Sequence, residues 1–311
     1  MATLSKHGHK NKHLMAALAL IGLYKVATTT LSYSWSFFKT FLRPGRNLYK
    51  RYQGGYVVVT GATDGLGLEY ARQFALKGFN LVLVARNQEK LDATKAELSR
   101  EHQDIDIQLI QFDFNKPYTQ EGYEPLKQAF DNIGDISVLV NNVGTAEFKM
   151  FGDQDLEPMN RMIQVNCIPQ VIVTKFLLPR LLARSKEQNK RTAIISVSSL
   201  LDYVPLPTSA VYTATKSFNK TFSDVLRKEN GEHIDIMTIL PGPTKTNLMK
   251  REGGLIATAS QHARWSLSDV GYNSESFGHY KHCIFRSIFK MPLVERMIIS
   301  SMLKAQKEQE Q

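Results

Sequence analysis

The stretch "GYVVVTGATDGLGLEYARQFALKG", residues 55–78, narrows the possible folds more than any other. An unbroken apolar run at Tyr56–Thr60 meets glycines at 61, 65 and 67, and apolar residues then recur at helical spacing from about Leu66 to Lys77. A strand without alternation is covered on both faces, which is how strands of a parallel sheet read. The pattern returns along the chain. Strand-like runs occupy 79–86, 105–114, 136–144 (with its turn), 192–199 and 234–243. Helical segments fall near 87–100, 120–132, 156–183 and around Tyr212. Strands alternating with helices predict an α/β fold, a doubly wound parallel sheet with helices on both faces.

Such sheets bind ligands beyond the carboxyl ends of their strands. The unusual polar residues and glycines lie there: Gly61 and Gly65 after the first strand, Arg86 after the second, Asp113 at the end of the third, Asn141 and Gly144 after the fourth, Ser199 after the fifth, Pro241 and Gly242 after the sixth. Gly61, Gly65 and Gly67 are spaced G-x-x-x-G-x-G between a strand and a helix. Backbone amides and the helix N-terminus would there meet a dinucleotide pyrophosphate. Arg86 stands where a carboxylate would bind the adenosine 2′-hydroxyl of NAD. A guanidinium suits a 2′-phosphate by charge and fork geometry, so the expected cofactor is NADP(H).

Charge divides the chain. Of 39 basic and 29 acidic residues, nine basic and no acidic ones fall in residues 1–53, leaving a nearly neutral 30 against 29 in the rest. A nucleic-acid surface needs its basic residues on the binding fold, so nucleic acid is not an expected partner. A basic leader suits anionic lipid or a targeting receptor. Within it, Leu14–Phe38 is long enough to span a bilayer, though Lys25 near the centre costs roughly 2.5–3.5 kcal/mol. Trp35, Phe37, Phe38 and Phe41 precede Arg43 and Arg46 as an interfacial anchor, and "RPG" at 43–45 ends the helix. A signal-anchor or interfacial helix, a mitochondrial presequence and a helix packed on a partner protein are three readings of this segment. The expected organisation is a leader (1–53), a Rossmann-like domain (54–290), and a C-terminal helix with a polar tail (291–311). Two cysteines, Cys167 and Cys283, make neither a zinc cluster nor a disulfide framework, and no metal is expected.

"TGATDGLG", "NNVG", "VSS" thirteen residues before a tyrosine, "YTATK" and "PGPTKT" follow one another in order, each at a strand end or on the helix after it. With these motifs the chain resembles the short-chain dehydrogenases/reductases over about 55–250. Its apolar leader makes it similar to the branch of 17β-hydroxysteroid dehydrogenases and very-long-chain 3-oxoacyl-CoA reductases of the endoplasmic reticulum membrane. The resemblance implies that Tyr212 protonates a carbonyl oxygen. Lys216 would lower the tyrosine pKa and hold the nicotinamide ribose, Ser199 would bond the substrate carbonyl, and Asn166 would anchor a water of the proton relay. It implies adenine contact at Asp113, Asn141 and Gly144 along the adenosine, and a nicotinamide pocket shaped by Pro241, Gly242 and Thr246. Ser198 lies one residue off the family's register and reads as structural.

The resemblance further implies a lipophilic carbonyl substrate, a 3-oxoacyl-CoA or next a 17-oxosteroid, and a homodimer formed through the 156–183 and Tyr212 helices. Residues 251–290 match nothing usable and stand where a substrate lid would be. A second reading of the whole chain stays open: an accessory or structural subunit of a membrane complex, mitochondrial in one version, that keeps the fold and a bound nucleotide.

Overall fold

The computed structural model describes residues 2–38, 42–247, 249 and 253–309. It divides into two units, Met1–Pro44 and Gly45–Gln311. In the first, helix α1 (Ala2–Phe37) contains the exposed stretch Lys12–Ser32, 21 residues of mean hydropathy 1.6. At 1.5 Å per residue this stretch is about 32 Å long, enough to cross a hydrocarbon core of about 30 Å. A signal sequence near an N-terminus has the same character. Trp35 and Phe38 stack with centroids 5.5 Å apart. Phe41, expected in the same anchor, lies outside the described residues.

The second unit opens with α2 (Leu48–Tyr52), followed by β1 (Tyr56–Thr60), α3 (Gly65–Ala75), β2 (Asn80–Ala85), α4 (Gln88–Glu101), β3 (Ile107–Gln111), α5 (Gln120–Asp131) and β4 (Ile136–Asn141). Then come α6 (Leu156–Glu187), β5 (Thr192–Val197), α7 (Ala210–Asn230), β6 (Ile234–Ile239), and the short pair β7 (Thr244–Lys245) and β8 (Ala257–Thr258). The chain continues through α8 (Ala259–Ser268), β9 (Glu275–Ser276) and α9 (Tyr280–Phe289) to α10 (Pro292–Gln309).

Seven strands form a parallel sheet in the order β3-β2-β1-β4-β5-β6-β9. Val57 and Val59 pack on one face with Tyr70, Phe74, Leu91 and Leu267; Val58 packs on the other with Phe130, Leu177 and Leu226. Burial on both faces accounts for the unbroken apolar runs of the sequence. The strand order reverses between β1 and β4, opening a crevice beyond their carboxyl ends.

The body starts nine residues earlier than the charge pattern suggests. α2 belongs to it: Leu48 and Tyr52 are buried in the core. Arg51 donates to Asp235 through Nε (2.6 Å) and Nη2 (3.0 Å), and the Tyr52 hydroxyl donates to the same carboxylate (2.9 Å). Arg191 Nε completes the cluster at 2.7 Å. Burial works against the Asp235 charge, but these donors outweigh it and hold its pKa below the usual range. The acid that pairs with Arg51, the last basic residue of the stretch 1–53, lies 184 positions away. A count of local charge therefore drew the boundary at 53. Within the stretch that matched nothing usable, the described residues 253–290 form β8, α8, β9 and α9. β9 has two residues, too few to show any period. The end of the polar tail, residues 310–311, lies outside the described residues.

Candidate active site

Gly61 turns the chain out of β1 with φ +65°, a conformation that favours glycine. Gly67, in the first turn of α3, comes so close to that turn that a Cβ would lie 2.2 Å from the Gly61 carbonyl oxygen and 2.4 Å from Asn142 Nδ2. The cradle has no room for a side chain at Gly67, the positive φ disfavours one at Gly61, and the N-terminus of α3 lies beside them. These features fit the phosphates of a dinucleotide. Gly65 is covered by Thr246, whose Cγ2 would be 3.4 Å from a Cβ there. Beside this contact, Asn247 Nδ2 donates to Asp64 (2.8 and 2.7 Å). The loop after β6 thus reaches the turn after β1.

Tyr212 and Lys216 sit one turn apart near the start of α7, with the ammonium 5.8 Å from the tyrosine ring centroid. Lys216 is 4% exposed and donates to the Val197 carbonyl (3.1 Å) at the end of β5. Burial pushes its pKa down to about 8. Burial raises the Tyr212 pKa, more than the hydrogen bond with Ser199 lowers it. Desolvation dominates at both groups, and Tyr212 holds its proton at neutral pH, as a proton donor must.

The two serines of "VSS" divide as their register suggests. Ser198 donates to the Lys216 carbonyl (2.7 Å), tying β5 to α7. Ser199 faces the tyrosine and also accepts from Leu201 N (3.2 Å). Asn166, 1% exposed in the middle of α6, accepts from Thr145 N (2.7 Å) and donates to Thr145 O (3.0 Å) and Thr215 Oγ1 (2.9 Å). It therefore fixes the loop after β4 against the helix that carries Tyr212. Gly144 lies between the two functional side chains: a Cβ would sit 3.2 Å from Asn166 Oδ1 and 3.3 Å from Lys216 Nζ.

Other expected contacts separate into those at the crevice and those turned inward. Arg86 is exposed at the end of β2, and its carbonyl accepts from Gln111. Asp113 lies just past β3 and accepts from Asn115 N (3.0 Å) and Nδ2 (2.7 Å), an Asx turn that keeps its carboxylate locally engaged. Asn141 is buried, and its Nδ2 donates to Thr174 on α6 (2.9 Å). Its neighbour Asn142, not singled out in the sequence, donates to Thr60 O (2.9 Å) and Gly61 O (3.3 Å) and so braces the glycine turn. Strand alternation was the available signal, because adjacent residues at the end of β4 must face opposite sides.

Pro241 accepts from Leu200 N (2.8 Å), joining the loop after β6 to the one after Ser199. Gly242 lies against the buried His282 of α9; a Cβ would be 2.8 Å from its ring. His282 Nε2 is 3.0 Å from the Pro243 carbonyl. The sequence offered no motif for His282, since α9 lies beyond the last of the motifs at 241–246.

The profile of the short chain dehydrogenase family matches residues 55–254. A very-long-chain 3-oxoacyl-CoA reductase of Neurospora crassa is 32% identical over 282 residues, 87% of this chain and 83% of that protein. A protein of the same description from Laccaria bicolor is 34% identical over 267 residues, 83% of this chain and 75% of that protein. A Caenorhabditis elegans relative bearing a steroid dehydrogenase name is 31% identical over 254 residues, 79% and 93% of the two chains. Among solved structures, a short-chain dehydrogenase from Sphingobium yanoikuyae in complex with NADPH superposes with TM-score 0.60 at 26% identity, covering 69% of this chain and 84% of that one. A 7β-hydroxysteroid dehydrogenase shares the fold at TM-score 0.69 and 22% identity, over 83% and 99%. With its glycine turn, its strand order and its tyrosine–lysine helix, this chain belongs to the short-chain dehydrogenase family, oxidoreductases whose fold binds a nicotinamide cofactor.

Proposed function

We propose that the protein uses NADPH to reduce the 3-oxo group of a long-chain 3-oxoacyl-CoA at the endoplasmic reticulum membrane. The observation that carries this reading is a complete proton-donor constellation, Tyr212, Lys216, Ser199 and Asn166, in a chain whose relatives over about four-fifths of its length are named 3-oxoacyl-CoA reductases. That completeness favours an enzyme over an accessory subunit that has only kept the fold. The relative with a steroid dehydrogenase name supports an oxosteroid as the second substrate class.

The bound nicotinamide supplies a hydride, and the chain's own residues do the rest. The glycine turn and the α3 N-terminus would hold the pyrophosphate, and Lys216 the nicotinamide ribose. Pro241, Gly242 and Thr246 would border the nicotinamide. Arg86, exposed at the end of β2, would meet the adenosine 2′-phosphate, a reading supported by the NADPH bound to the Sphingobium relative. Ser199 orients the substrate carbonyl by donating to its oxygen. Tyr212 gives its phenolic proton to the same oxygen as charge develops there. Asn166 keeps Thr145 and Thr215 in register so that the tyrosine helix and the loop after β4 do not drift apart. Helix α1, long and apolar enough to span a bilayer, supports placement at a membrane, where a lipophilic substrate partitions.

The test is NADPH oxidation by the purified protein with long-chain 3-oxoacyl-CoA, run beside a panel of oxosteroids. Turnover with the thioester is expected, and Tyr212→Phe should lower it by about 10²–10⁴-fold while cofactor still binds. Cofactor binding without turnover of any carbonyl compound would overturn the enzyme reading.

A further inference from the structure

Four residues beyond Ser199, past a 3₁₀ turn at Leu200–Asp202, the Tyr203 ring gathers three cations. The Arg286 guanidinium lies 5.0 Å from its centroid, Lys290 Nζ 4.9 Å and Lys220 Nζ 5.7 Å. Arg286 also lies 4.8 Å from the Phe277 ring, so it is held between two aromatic side chains. Its Nε is buried and has no hydrogen-bond partner. The carboxylate at this ring is Glu275, and both its oxygens are engaged: Oε2 accepts from the Tyr203 hydroxyl (2.5 Å) and Oε1 pairs with Lys220 (2.9 Å). Among the described residues no ion pair involves Arg286 or Lys290. Cation–π contact accounts for where the two side chains rest. It does not balance two like charges brought over one ring.

Such a site, an exposed lysine beside a fixed arginine with aromatic faces between them, suits a phosphorylated nucleotide. Its distance from the chemistry is bounded by the chain. Four residues span at most roughly 14 Å, and the 3₁₀ turn shortens that. That bound runs from Ser199 to Tyr203, and the cations lie a further 4.9–5.7 Å from the Tyr203 ring centroid, a separation of the order that a pantetheine arm with its diphosphate spans.

We propose that Arg286 and Lys290, at the end of α9, bind the phosphates of the coenzyme A moiety of the substrate. The proposal rests on the 3-oxoacyl-CoA reading and adds to it where the handle of the substrate is held. An oxosteroid would leave this site unused.

The experiment compares the full-length protein with the Arg286→Gln/Lys290→Gln variant on two substrates with the same 3-oxoacyl chain, one carried by coenzyme A and one by N-acetylcysteamine, which has no phosphate. The ratio of kcat/KM for the coenzyme A thioester to that for the short thioester should fall by about tenfold or more, mainly through KM. An unchanged ratio overturns the proposal. Calorimetric titration of wild type with adenosine 3′,5′-bisphosphate gives a readout independent of turnover. Binding that is lost in the variant supports the site, and no binding to wild type overturns it. Should the double variant fail to fold, Lys290→Gln alone, at an exposed helix end, carries the same comparison. Bisphosphate binding without turnover of any thioester would retire the reductase reading and leave the nucleotide site standing. Turnover with an unchanged ratio does the reverse. Binding of phosphatidylserine vesicles through the same two residues, with no bisphosphate binding, would make this a lipid-headgroup contact and overturn the proposal.

Discussion

At Lys216 burial and function pull in opposite directions. Burial lowers its pKa to about 8, while holding a ribose and supporting proton donation both call for the ammonium. As pH rises through about 8 the free protein loses this charge, so kcat/KM for reduction should fall above that pH. A pH–rate profile flat to pH 10 would contradict this. The stability sign is also defined. Between about 8 and the ordinary lysine value of 10.5 the unfolded chain binds more protons than the folded one, so stability contributed through this residue rises with pH across that window. Arg86 carries a second prediction at this scale. Arg86→Asp removes the positive charge that favours a 2′-phosphate and adds one that repels it, so the ratio of kcat/KM for NADPH to that for NADH should invert. Steady-state kinetics with both cofactors measure it, and an unchanged ratio would refute the assignment.

Between elements, the two adjacent serines after β5 have separate jobs. Ser198 fastens the strand to the carbonyl of Lys216 and touches nothing that reacts. Ser198→Ala should therefore cost about 1 kcal/mol in thermal or denaturant unfolding and leave kcat within a few fold. Ser199→Ala should keep stability and lower kcat by about 10²-fold, as loss of a donor to a developing oxyanion does. How legible this was depended on the kind of signal. β1, β2, β4, β5 and β6 were readable because burial on both faces leaves long apolar runs; the glycine turn and Ser199 could be placed because they follow strand ends, whereas Tyr212, Lys216 and Asn166 lie on helices and were placed through the family's motifs. Asn141 and Asn142 were not told apart, since a motif gives position along the chain while only the pleat gives direction. β9 was invisible for lack of length, and α2 because its partner, Asp235, is remote in sequence. Strand ends ran long in the reading (105–114 against Ile107–Gln111) because Phe112 and Phe114 continue the apolar pattern after the ladder stops.

For the whole molecule, the division at Gly45 makes a sharp prediction about where the chain can be cut. Removing residues 1–44 should leave the body's melting temperature and cofactor binding unchanged. Removing residues 1–53 takes away Leu48 and Tyr52, worth about 1.5–3 kcal/mol each in buried area, and strips Asp235 of two of its three donor residues. Its melting temperature should drop by about 10 °C or more in calorimetry or circular dichroism. Equal melting of the two truncations would show that α2 is not part of the folding unit. The same clamp has a mechanical consequence. Asp235 stands at the amino end of β6, while Gly61, Gly144, Ser199 and Pro241 all follow carboxyl ends of strands. A pull on the leader thus enters the body at the pole of the sheet remote from the chemistry. Arg46 over the Tyr272 ring, buried Leu48 and the arginine–aspartate lock share that load, while Tyr212 sits on α7 beyond the opposite ends of the strands.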